Sequence, residues 1–480
     1  MRIERENPAR TDELVGAVES SDAVAVDEVV ARARAAQAQW AAVPVDKRAA
    51  LLREASARVR EHLEEIATLT ARETGKVLAD SRGEAGFAAT VLGFYADRGE
   101  ALLVPGGYDD ERGRMSVRHR PYGVVAAITP WNAPLILTTL KLAPALVSGN
   151  AVVVKPSPFA PFGIGRLLDL VGRDLPAGLV QVVHGGAETA TALVSHPGVD
   201  RVAFTGGETA GRAIASMAGR ALTPSVLELG GNDAALLLDD AALDDAALER
   251  MVMAAFATSG QVCMAIKRLY VHRSRLEEVV AGLESAAARV LRTGDPLHDG
   301  VSMGPVVSAD SAARVTGLVE EARAAGADVR ELGTVDPATD LSRGHFVLPT
   351  LVLGAGDTSR IVAEEQFGPT LPVLAFDDVD EAVARANAGD LGLGGSVWSA
   401  DEDRAFAVAA RLDAGFAFVN THNRTGMALH APFGGVKRSG WGREYGDDGL
   451  WEYVQPCVVH APAAFRAGGA GLAANAYPGS

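Results

Sequence analysis

The sequence contains very little cysteine: its 480 residues include only Cys263 and Cys457. Two cysteines cannot form the framework of several bridges that holds small secreted domains together, so a disulfide scaffold is excluded and a reducing compartment is expected. The ten histidines are scattered, and no HExxH or CxxC pattern occurs. Because zinc sites are usually built from such spacings, the sequence predicts no dedicated metal site.

Long apolar runs and an excess of positive charge are also missing. No segment reaches the roughly 20 apolar residues that span a bilayer, and the opening MRIERENPAR lacks the apolar core of a signal peptide. The 45 Lys and Arg residues are outnumbered by 61 Asp and Glu residues, which gives a formal net charge of −16. Nucleic-acid binding requires concentrated positive charge. We therefore expect no membrane and no nucleic acid as a partner, and we expect the protein in the cytoplasm.

Helical periodicity characterises the N-terminal part of the chain. Over residues 45–76 the apolar positions recur at the spacing of one helix face, namely at Leu52, Ala55, Val59, Leu63 and Ile66. Asp46 is a candidate N-cap and Gly75 a candidate helix stop. The segment therefore predicts an amphipathic helix that packs against a core.

From residue 123 onward, short runs rich in Val and Ile alternate with helical stretches. The runs include GVVAAIT, NAVVVKPS, DRVAFTGG and SVLELGGN, and a second series begins near Asp233. Continuously apolar strands that alternate with helices are typical of parallel sheets covered on both faces. The chain is long enough for two or three domains, so we predict two α/β domains. Ligands of such folds bind at the loops that leave the carboxyl ends of the strands.

Three polar residues beside these runs could carry chemistry. Cys263, in SGQVCMAIKR, is either a buried small side chain or a nucleophile, which would act as the thiolate. Glu228, at the end of a strand and before two glycines, is either solvated or a general base that activates water. Asn132, between Pro130 and Pro134, is either a turn residue or a hydrogen-bond donor to a developing alkoxide. Taken one at a time, these motifs leave both interpretations open.

Two further motifs fall at the same predicted edge of the sheet. FTGGETAGR follows a strand and opens a helix, where Gly206, Gly207 and Gly211 would let a cofactor approach backbone N–H groups. Its spacing differs from GxGxxG. Lys155 ends the strand in VVVKPSPFAP and either holds a ribose or phosphate or is solvated.

Seven stretches, in order along the chain, resemble the motifs of the aldehyde dehydrogenase superfamily: PWNAP, KPSP, FTGGETAG, LELGGN, GQVC, EEQFGP and PFGGVKRSGWGRE. The resemblance is to the NAD(P)-dependent, non-acylating (hydrolytic) type. It implies that Cys263 is the nucleophile, Glu228 the general base and Asn132 the oxyanion donor. The implied enzyme oxidises an aldehyde to the carboxylic acid through a thiohemiacetal and a thioester on Cys263, and water activated by Glu228 hydrolyses the thioester.

The resemblance also implies a cofactor, NAD or NADP, and the residues that contact it. Lys155 would hold the adenosine ribose, while Glu365 and Phe367 would contact the nicotinamide ribose and ring. The whole implied set is Thr129, Trp131, Lys155, Ser157, Gly206, Gly207, Gly211, Leu229, Glu365 and Phe367.

The architecture implied by the resemblance is α/β, with two Rossmann-like domains on parallel sheets and a small β oligomerisation arm. Residues 1–102 and 122–230 would form the dinucleotide-binding domain, and residues 231–444 the catalytic domain. Residues 103–121 and 445–460 would form the arm, and residues 461–480 a mobile tail. A homodimer or homotetramer is expected.

The chain departs from the family pattern at several positions. Pro158 stands where many relatives carry a glutamate that binds the adenosine-ribose hydroxyls and repels a 2′-phosphate, so use of NADP stays open. Gln455 follows Val454 where the family often has a glutamate in a TE pair, so no proton relay through that glutamate is expected. Asn232 stands where the family commonly has a lysine, and Thr258 stands where it frequently has an asparagine.

Substrate preference depends on a few residues near the proposed nucleophile. By resemblance, Leu137, Leu140, Met264 and the loop THNRTGMALH line the substrate entrance, although the leucines would equally suit helix packing. Arg424 and His430 would either grip the carboxylate of a semialdehyde or be solvated. We expect a broad aliphatic or aromatic aldehyde as substrate. The alternatives are a semialdehyde dehydrogenase and a coenzyme A-acylating enzyme. Glu228 argues against the acylating enzyme, because such an enzyme needs no carboxylate that activates water.

Overall fold

The computed structural model describes residues 2–465, and its strands build two large sheets and four small ones. The strands are β1 (Arg2–Asn7), β2 (Arg10–Glu19), β3 (Gly106–Asp110), β4 (Gly113–Pro121), β5 (Val124–Thr129), β6 (Ala151–Pro156), β7 (Val180–Val182), β8 (Arg201–Thr205), β9 (Ser225–Glu228), β10 (Ala234–Leu237), β11 (Arg268–His272), β12 (Arg292–Thr293), β13 (Asp328–Glu331), β14 (Thr334–Val335), β15 (Thr350–Leu353), β16 (Thr370–Phe376), β17 (Leu391–Gly392), β18 (Gly394–Trp398), β19 (Phe416–Val419), β20 (Val436–Lys437), β21 (Gly440–Trp441) and β22 (Val454–Pro462).

Helices cover the faces of the sheets and form the N-terminal layer. The α-helices are α1 (Ala23–Ala41), α2 (Val45–Glu61), α3 (Leu63–Thr74), α4 (Leu78–Leu102), α5 (Pro134–Val147), α6 (Pro161–Gly172), α7 (Ala187–Val194), α8 (Glu208–Ala221), α9 (Asp245–Phe256), α10 (Leu276–Val290), α11 (Ala309–Ala324), α12 (Arg360–Ala363), α13 (Val379–Asn387), α14 (Glu402–Ala409) and α15 (Gly446–Trp451). Among the described residues, no helix combines the length and the apolar character needed to cross a membrane.

The first large sheet has the strand order β21-β9-β8-β5-β6-β7. Its strands run parallel except β21, which pairs antiparallel with β9. Every residue of β5, β6 and β8 is buried, as expected for strands covered by helices on both faces. The carboxyl ends of β5, β6, β8 and β9 therefore lie along one edge.

The second large sheet has the order β13-β15-β16-β11-β10-β18-β19, with only β13 antiparallel to its neighbour. Its two faces are packed by two separate apolar clusters. The predicted α/β class with two parallel sheets is confirmed.

The N-terminal helical prediction is correct in type and wrong in detail. The segment forms two helices, α2 and α3, which meet at His62, and α2 begins after Pro44 rather than at an Asp46 cap. Proline has a fixed φ suited to the start of a helix. Gly75 ends α3 in the left-handed conformation with φ 78°, a backbone region that glycine enters without a steric penalty.

Two predicted boundaries differ from the structure. β21 falls within the predicted catalytic segment 231–444 but adds to the first sheet, because Gly440 with φ 119° lets the chain approach β9 closely. β22 continues to Pro462 and pairs with β4, so residues 461–462 belong to a three-stranded sheet of order β22-β4-β3 rather than to the predicted tail. Residues 466–480 of that tail lie outside the described part of the chain.

Candidate active site

Cys263, Asn132 and several of the predicted cofactor residues line a cavity of about 240 Å³ at the carboxyl edge of the first sheet, whereas Glu228 is not part of its lining. The PWN loop follows β5, the double glycine follows β8, and Leu229 follows β9, so three neighbouring strands deliver them to one place. The loop before β11 brings Cys263 from the second sheet. The lining is Pro130, Trp131, Asn132, Thr205, Gly206, Gly207, Leu229, Gly230, Cys263, Glu365 and Phe367.

Cys263 sits on a loop whose conformation could not be predicted from its residue types. Thr258, Ser259 and Gly260 are consecutive left-handed residues with φ of 56°, 57° and 68°. Left-handed backbone is rare for threonine, and such strain persists only where the surroundings hold it. The Ser259 hydroxyl donates to Gly304 O at 2.8 Å, which is one such restraint. The strained turn aims the half-buried Cys263 towards the cavity.

The electrostatic surroundings of the Cys263 thiol favour its neutral form. Burial, with a smaller contribution from the carboxylates of Glu365, Asp233 and Glu228, raises its pKa to about 12. The ammonium of Lys267 acts in the opposite direction. Since the thiolate is the nucleophile, positive charge near the sulfur matters for reactivity.

Asn132 is buried, with 7% of its surface exposed. Its Nδ2 donates to Gln261 O at 3.0 Å, two residues before Cys263. An amide nitrogen carries two hydrogens, so the second remains for an oxyanion on a Cys263 adduct. The loop is fixed by Glu84, whose carboxylate accepts from Leu135 N at 2.8 Å in the first turn of α5.

Glu228 is buried at the end of β9, and neither of its carboxylate oxygens accepts a hydrogen bond from the described residues. Buried acceptors normally find a partner, so the group is suited to bind water. Burial raises its pKa well above the usual range; the charge of Glu444 adds to that effect and Lys141 opposes it. The carboxyl group therefore holds a proton more tightly than an exposed glutamate does.

A second glutamate, Glu444, acts on the charge of Glu228 from a position other than Gln455. Glu444 forms a fully buried ion pair with Lys141 at 2.6 Å, and Lys141 Nζ also donates to Thr205 Oγ1 at 2.6 Å. Both charges influence the Glu228 carboxyl. Glu444 lies in the GWGRE motif, and Lys141 lies in the helix that follows PWN. The sequence does not show that they pair, because only the fold brings them together.

The residues assigned to the cofactor divide into two groups. Trp131 and Phe367 make an edge-to-face pair with centroids 5.6 Å apart, and Glu365 accepts from Gly231 N at 3.1 Å. Gly206 and Gly207 lead into α8 at its N-terminus. All of these border the cavity with Cys263.

The second group lies along β5 and β6. Lys155 Nζ donates to Gly185 O at 2.7 Å and to Pro156 O at 3.0 Å, and Ser157 N donates to Thr129 O at 2.9 Å. Thr129 Oγ1 is buried without a partner among the described residues. Gly211 lies apart from the glycine turn, in the second turn of α8, where the absence of a side chain makes room for Leu229.

The proposed substrate residues are not equivalent. Leu137 and Met264 are half-buried and pack against the same apolar cluster as Cys263, whereas Leu140 is 1% exposed and serves as core packing. Arg424 is exposed but pairs with Asp80 at 2.9 Å, and His430 is exposed. The two residues suggested for gripping a carboxylate therefore lie at the surface, and one of them already has an anionic partner.

Known proteins resemble this chain over nearly its whole length. Residues 1–459 match the aldehyde dehydrogenase family. A geranial dehydrogenase of Castellaniella defragrans is 38% identical over 93% of this chain and 92% of its own length. An NADP-dependent succinate-semialdehyde dehydrogenase of Deinococcus radiodurans is 36% identical over 94% of this chain and 93% of its own. The solved structure of aldehyde dehydrogenase C of Pseudomonas syringae with NAD⁺ and octanal has a TM-score of 0.89 and 34% identity, covering 96% of this chain and 93% of that one.

Proposed function

The chain belongs to the aldehyde dehydrogenase family and oxidises an aldehyde to the carboxylic acid with NAD or NADP, and we propose that Cys263, Glu228 and Asn132 carry out this reaction. The observation that supports the assignment most strongly is that Cys263 and Asn132 border one cavity while the charge of Glu228 acts on the same thiol. The parts needed for addition, charge stabilisation and hydrolysis are thus within one site.

The cavity suits a nicotinamide cofactor. The N-terminus of α8 offers backbone N–H groups to a pyrophosphate, and a Cβ at Gly207 would meet no atom within 4 Å, so the turn is open. The Trp131–Phe367 pair provides an aromatic wall for a flat ring. NAD or NADP held by these residues would supply the hydride acceptor that the oxidation of the Cys263 adduct requires.

The residues of the chain supply the remaining steps. The Cys263 thiolate adds to the aldehyde carbonyl, and the oxygen of the resulting adduct takes up negative charge. Asn132 Nδ2 donates to this oxygen; losing such a donor typically costs ~100- to 1,000-fold in rate. Glu228 then takes a proton from water as the water attacks the thioester, and the raised pKa of Glu228 makes it a stronger base for that step. The buried ion pair of Lys141 and Glu444 acts on the Glu228 carboxyl through its charges.

The surroundings of Cys263 favour an apolar aldehyde. Leu137, Met264, Met427 and Leu429 are partly buried apolar side chains that pack against the same cluster as the thiol. Arg424 is held by Asp80, so it is not free to bind a carboxylate. A semialdehyde remains the second candidate because one relative acts on succinate semialdehyde by name.

The test measures reduced cofactor with octanal and with succinate semialdehyde, each with NAD and with NADP. Octanal should give the higher kcat/KM without added coenzyme A. Cys263→Ala should abolish turnover, and Glu228→Gln should give one equivalent of reduced cofactor and then turn over ~100- to 10,000-fold more slowly. Cys457→Ser is the matched thiol control and should keep the full rate. Full turnover by Cys263→Ala would refute the assignment, and a preference for the semialdehyde would refute the apolar channel.

The assembly and the location extend the proposal. We expect a homodimer or homotetramer held through the sheet of β3, β4 and β22, and we expect the enzyme in the cytoplasm. Size measurement in solution and fractionation of the source cells test these two expectations.

A further inference from the structure

The buried ammonium group of Lys267 has no role in the steps of the proposed reaction. Lys267 is 2% exposed and lies four residues after Cys263, immediately before β11. Its Nζ donates to Cys263 O at 2.6 Å and to Val262 O at 2.7 Å. Lys267 thus binds the carbonyl group that precedes the Cys263 nitrogen and the carbonyl group of Cys263 itself.

The same ammonium also reaches the segment assigned to the cofactor. Lys267 Nζ is 3.8 Å from Glu365 Oε1, while Gln366 Nε2 donates to Lys267 O at 3.2 Å. Glu365 shares its carboxylate with Gly231 N. Lys267 therefore connects the nucleophile loop to the 365–367 segment through both its side chain and its main chain.

A buried positive charge at this place has an electrostatic as well as a mechanical effect. Carbonyl groups satisfy the N–H donors of an ammonium but leave its net charge in place, and an opposite charge within ~4–6 Å stabilises an anion. The other charged or titratable groups that act on the thiol favour its protonated form. They are Glu365, Asp233, Glu228 and, from the segment before α15, Tyr445.

We propose that Lys267 is a positioning residue that holds the Cys263 main chain and, by its charge, stabilises the thiolate against the surrounding carboxylates. The inference rests on the proposed role of Cys263 as the nucleophile. It assigns to Lys267 a function in activating the sulfur rather than in packing.

The test follows alkylation of Cys263 in a Cys457→Ser background, so that one thiol is present. Rates with neutral iodoacetamide and anionic iodoacetate are measured between pH 7 and 9.5 without cofactor or turnover. Lys267→Met should react with iodoacetamide about tenfold more slowly at each pH, which corresponds to a rise of one unit in thiol pKa. It should also lower the ratio of the iodoacetate rate to the iodoacetamide rate, because that ratio reports local positive charge and is insensitive to the thiolate fraction.

Two comparison variants separate charge from fold. Lys267→Arg keeps the charge and should retain both the rate and the ratio, while Lys47→Met removes an exposed lysine on α2 and should change neither. If Lys267→Met reacts like Lys47→Met with both reagents, the proposal is overturned. Should Lys267→Met fail to fold by circular dichroism, Lys267→Gln decides, because its amide can still donate hydrogen bonds but carries no charge: slower alkylation with a lowered reagent ratio supports the proposal, and a rate and ratio equal to those of Lys47→Met overturn it.

The outcome is independent of the proposed function. Alkylation needs no catalysis, so an inactive enzyme with a charge-dependent thiol would support the role of Lys267 while refuting the assignment of the reaction. Loss of turnover in Cys263→Ala, together with alkylation rates that do not depend on Lys267, would support the assignment of the reaction and refute the role of Lys267.

Discussion

Lys155 is a buried side chain whose charge has no carboxylate partner among the described residues. It is 5% exposed, and its ammonium donates to the carbonyls of Gly185 and Pro156. Burial lowers the pKa of Lys155 to about 8, and the charge of Lys155 contributes to the lowered pKa of His184. Since Pro158 places no acidic group beside Lys155, we propose that this site accepts an anion such as a 2′-phosphate.

We predict that NADP affinity falls as the pH rises through 8. Below that pH the free enzyme carries Lys155 as the ammonium; above it the lysine is neutral, so binding the phosphate requires uptake of a proton. The affinity should then weaken by up to about tenfold per pH unit. NAD lacks the 2′-phosphate and should show a smaller decline. Fluorescence titration of both cofactors between pH 7 and 9.5 measures the ratio of their Kd values.

Lys155→Met supplies the comparison for this titration. It should remove the pH dependence of the ratio, while NAD, which loses the contact of Lys155 with its adenosine ribose, should bind more weakly at every pH. A ratio that stays constant across pH 8 in the unaltered enzyme would contradict the prediction.

At the same scale, the sequence indicated the proposed reacting groups better than the residues that support them. Cys263, Glu228 and Asn132 each lie in a short motif that resembles a family motif, so their roles could be proposed without coordinates. Lys141 and Glu444 are 303 positions apart, and nothing local marks them as an ion pair. Such pairs are created by the packing of α5 against the C-terminal segment and are invisible to a motif.

The helices that flank the site begin at carboxylates from elsewhere in the chain. Glu84 on α4 accepts from Leu135 N and Ile136 N at the start of α5, and Glu73 on α3 accepts from Phe162 N and Gly163 N at the start of α6. A negative charge at a helix N-terminus satisfies free N–H groups and opposes the helix dipole. Neither helix has a capping side chain of its own.

We predict that Glu84→Ala destabilises the protein by about 3–5 kcal/mol, since it frees two buried N–H groups and leaves Lys76 buried without its partner. It should also lower kcat, because α5 begins two residues after Asn132. Urea unfolding measures the first effect and steady-state kinetics the second.

A double variant separates the two causes of the instability. Lys76→Met combined with Glu84→Ala should recover part of the lost stability, because the uncompensated charge is gone. Glu61→Ala, an exposed position on α2, should stay within about 0.5 kcal/mol of the parent protein. If the double variant is no more stable than Glu84→Ala, the buried charge is not the cause.

The order and type of the strands and helices could be predicted because their periodicity is local. The break between α2 and α3 at His62 was missed because both helices present apolar residues at one continuous spacing. The Glu84 and Glu73 caps were missed because each acts across at least 51 positions of sequence. Periodicity is judged within a short stretch of sequence, and such a stretch contains only one partner of a tertiary contact of this kind.

The division of the whole molecule into domains stays a prediction, and one strand departs from it. β21 belongs by sequence to the segment of the second sheet, yet it completes the edge of the first, beside Glu228. Its residues follow directly on the PFGGVK segment and precede Glu444. The two parallel sheets are therefore joined beside Glu228 by a returning strand, so the segment 231–444 implied by the family resemblance includes one strand of the first sheet.

The sheet of β3, β4 and β22 is poorly covered within one chain. Most residues of β22 and β3 are exposed, and Val458 and Val459 are 58% and 56% exposed on adjacent positions, hence on opposite faces. A thin sheet with apolar side chains on both faces and two open edges is unfavourable in water unless something covers it. We infer that a second copy of the chain does so.

We therefore predict that Val458→Asp combined with Val459→Asp lowers the oligomeric state, because charged groups would be buried at the contact. Light scattering after size exclusion at micromolar concentration should show the parent protein as a dimer or tetramer and the variant as a smaller species. Val24→Asp is the control, since Val24 is 68% exposed in the first turn of α1, where an acidic residue is favourable, and it should leave the mass unchanged. A parent protein that is monomeric, or a variant with the parent mass, would show that this sheet does not hold the assembly together.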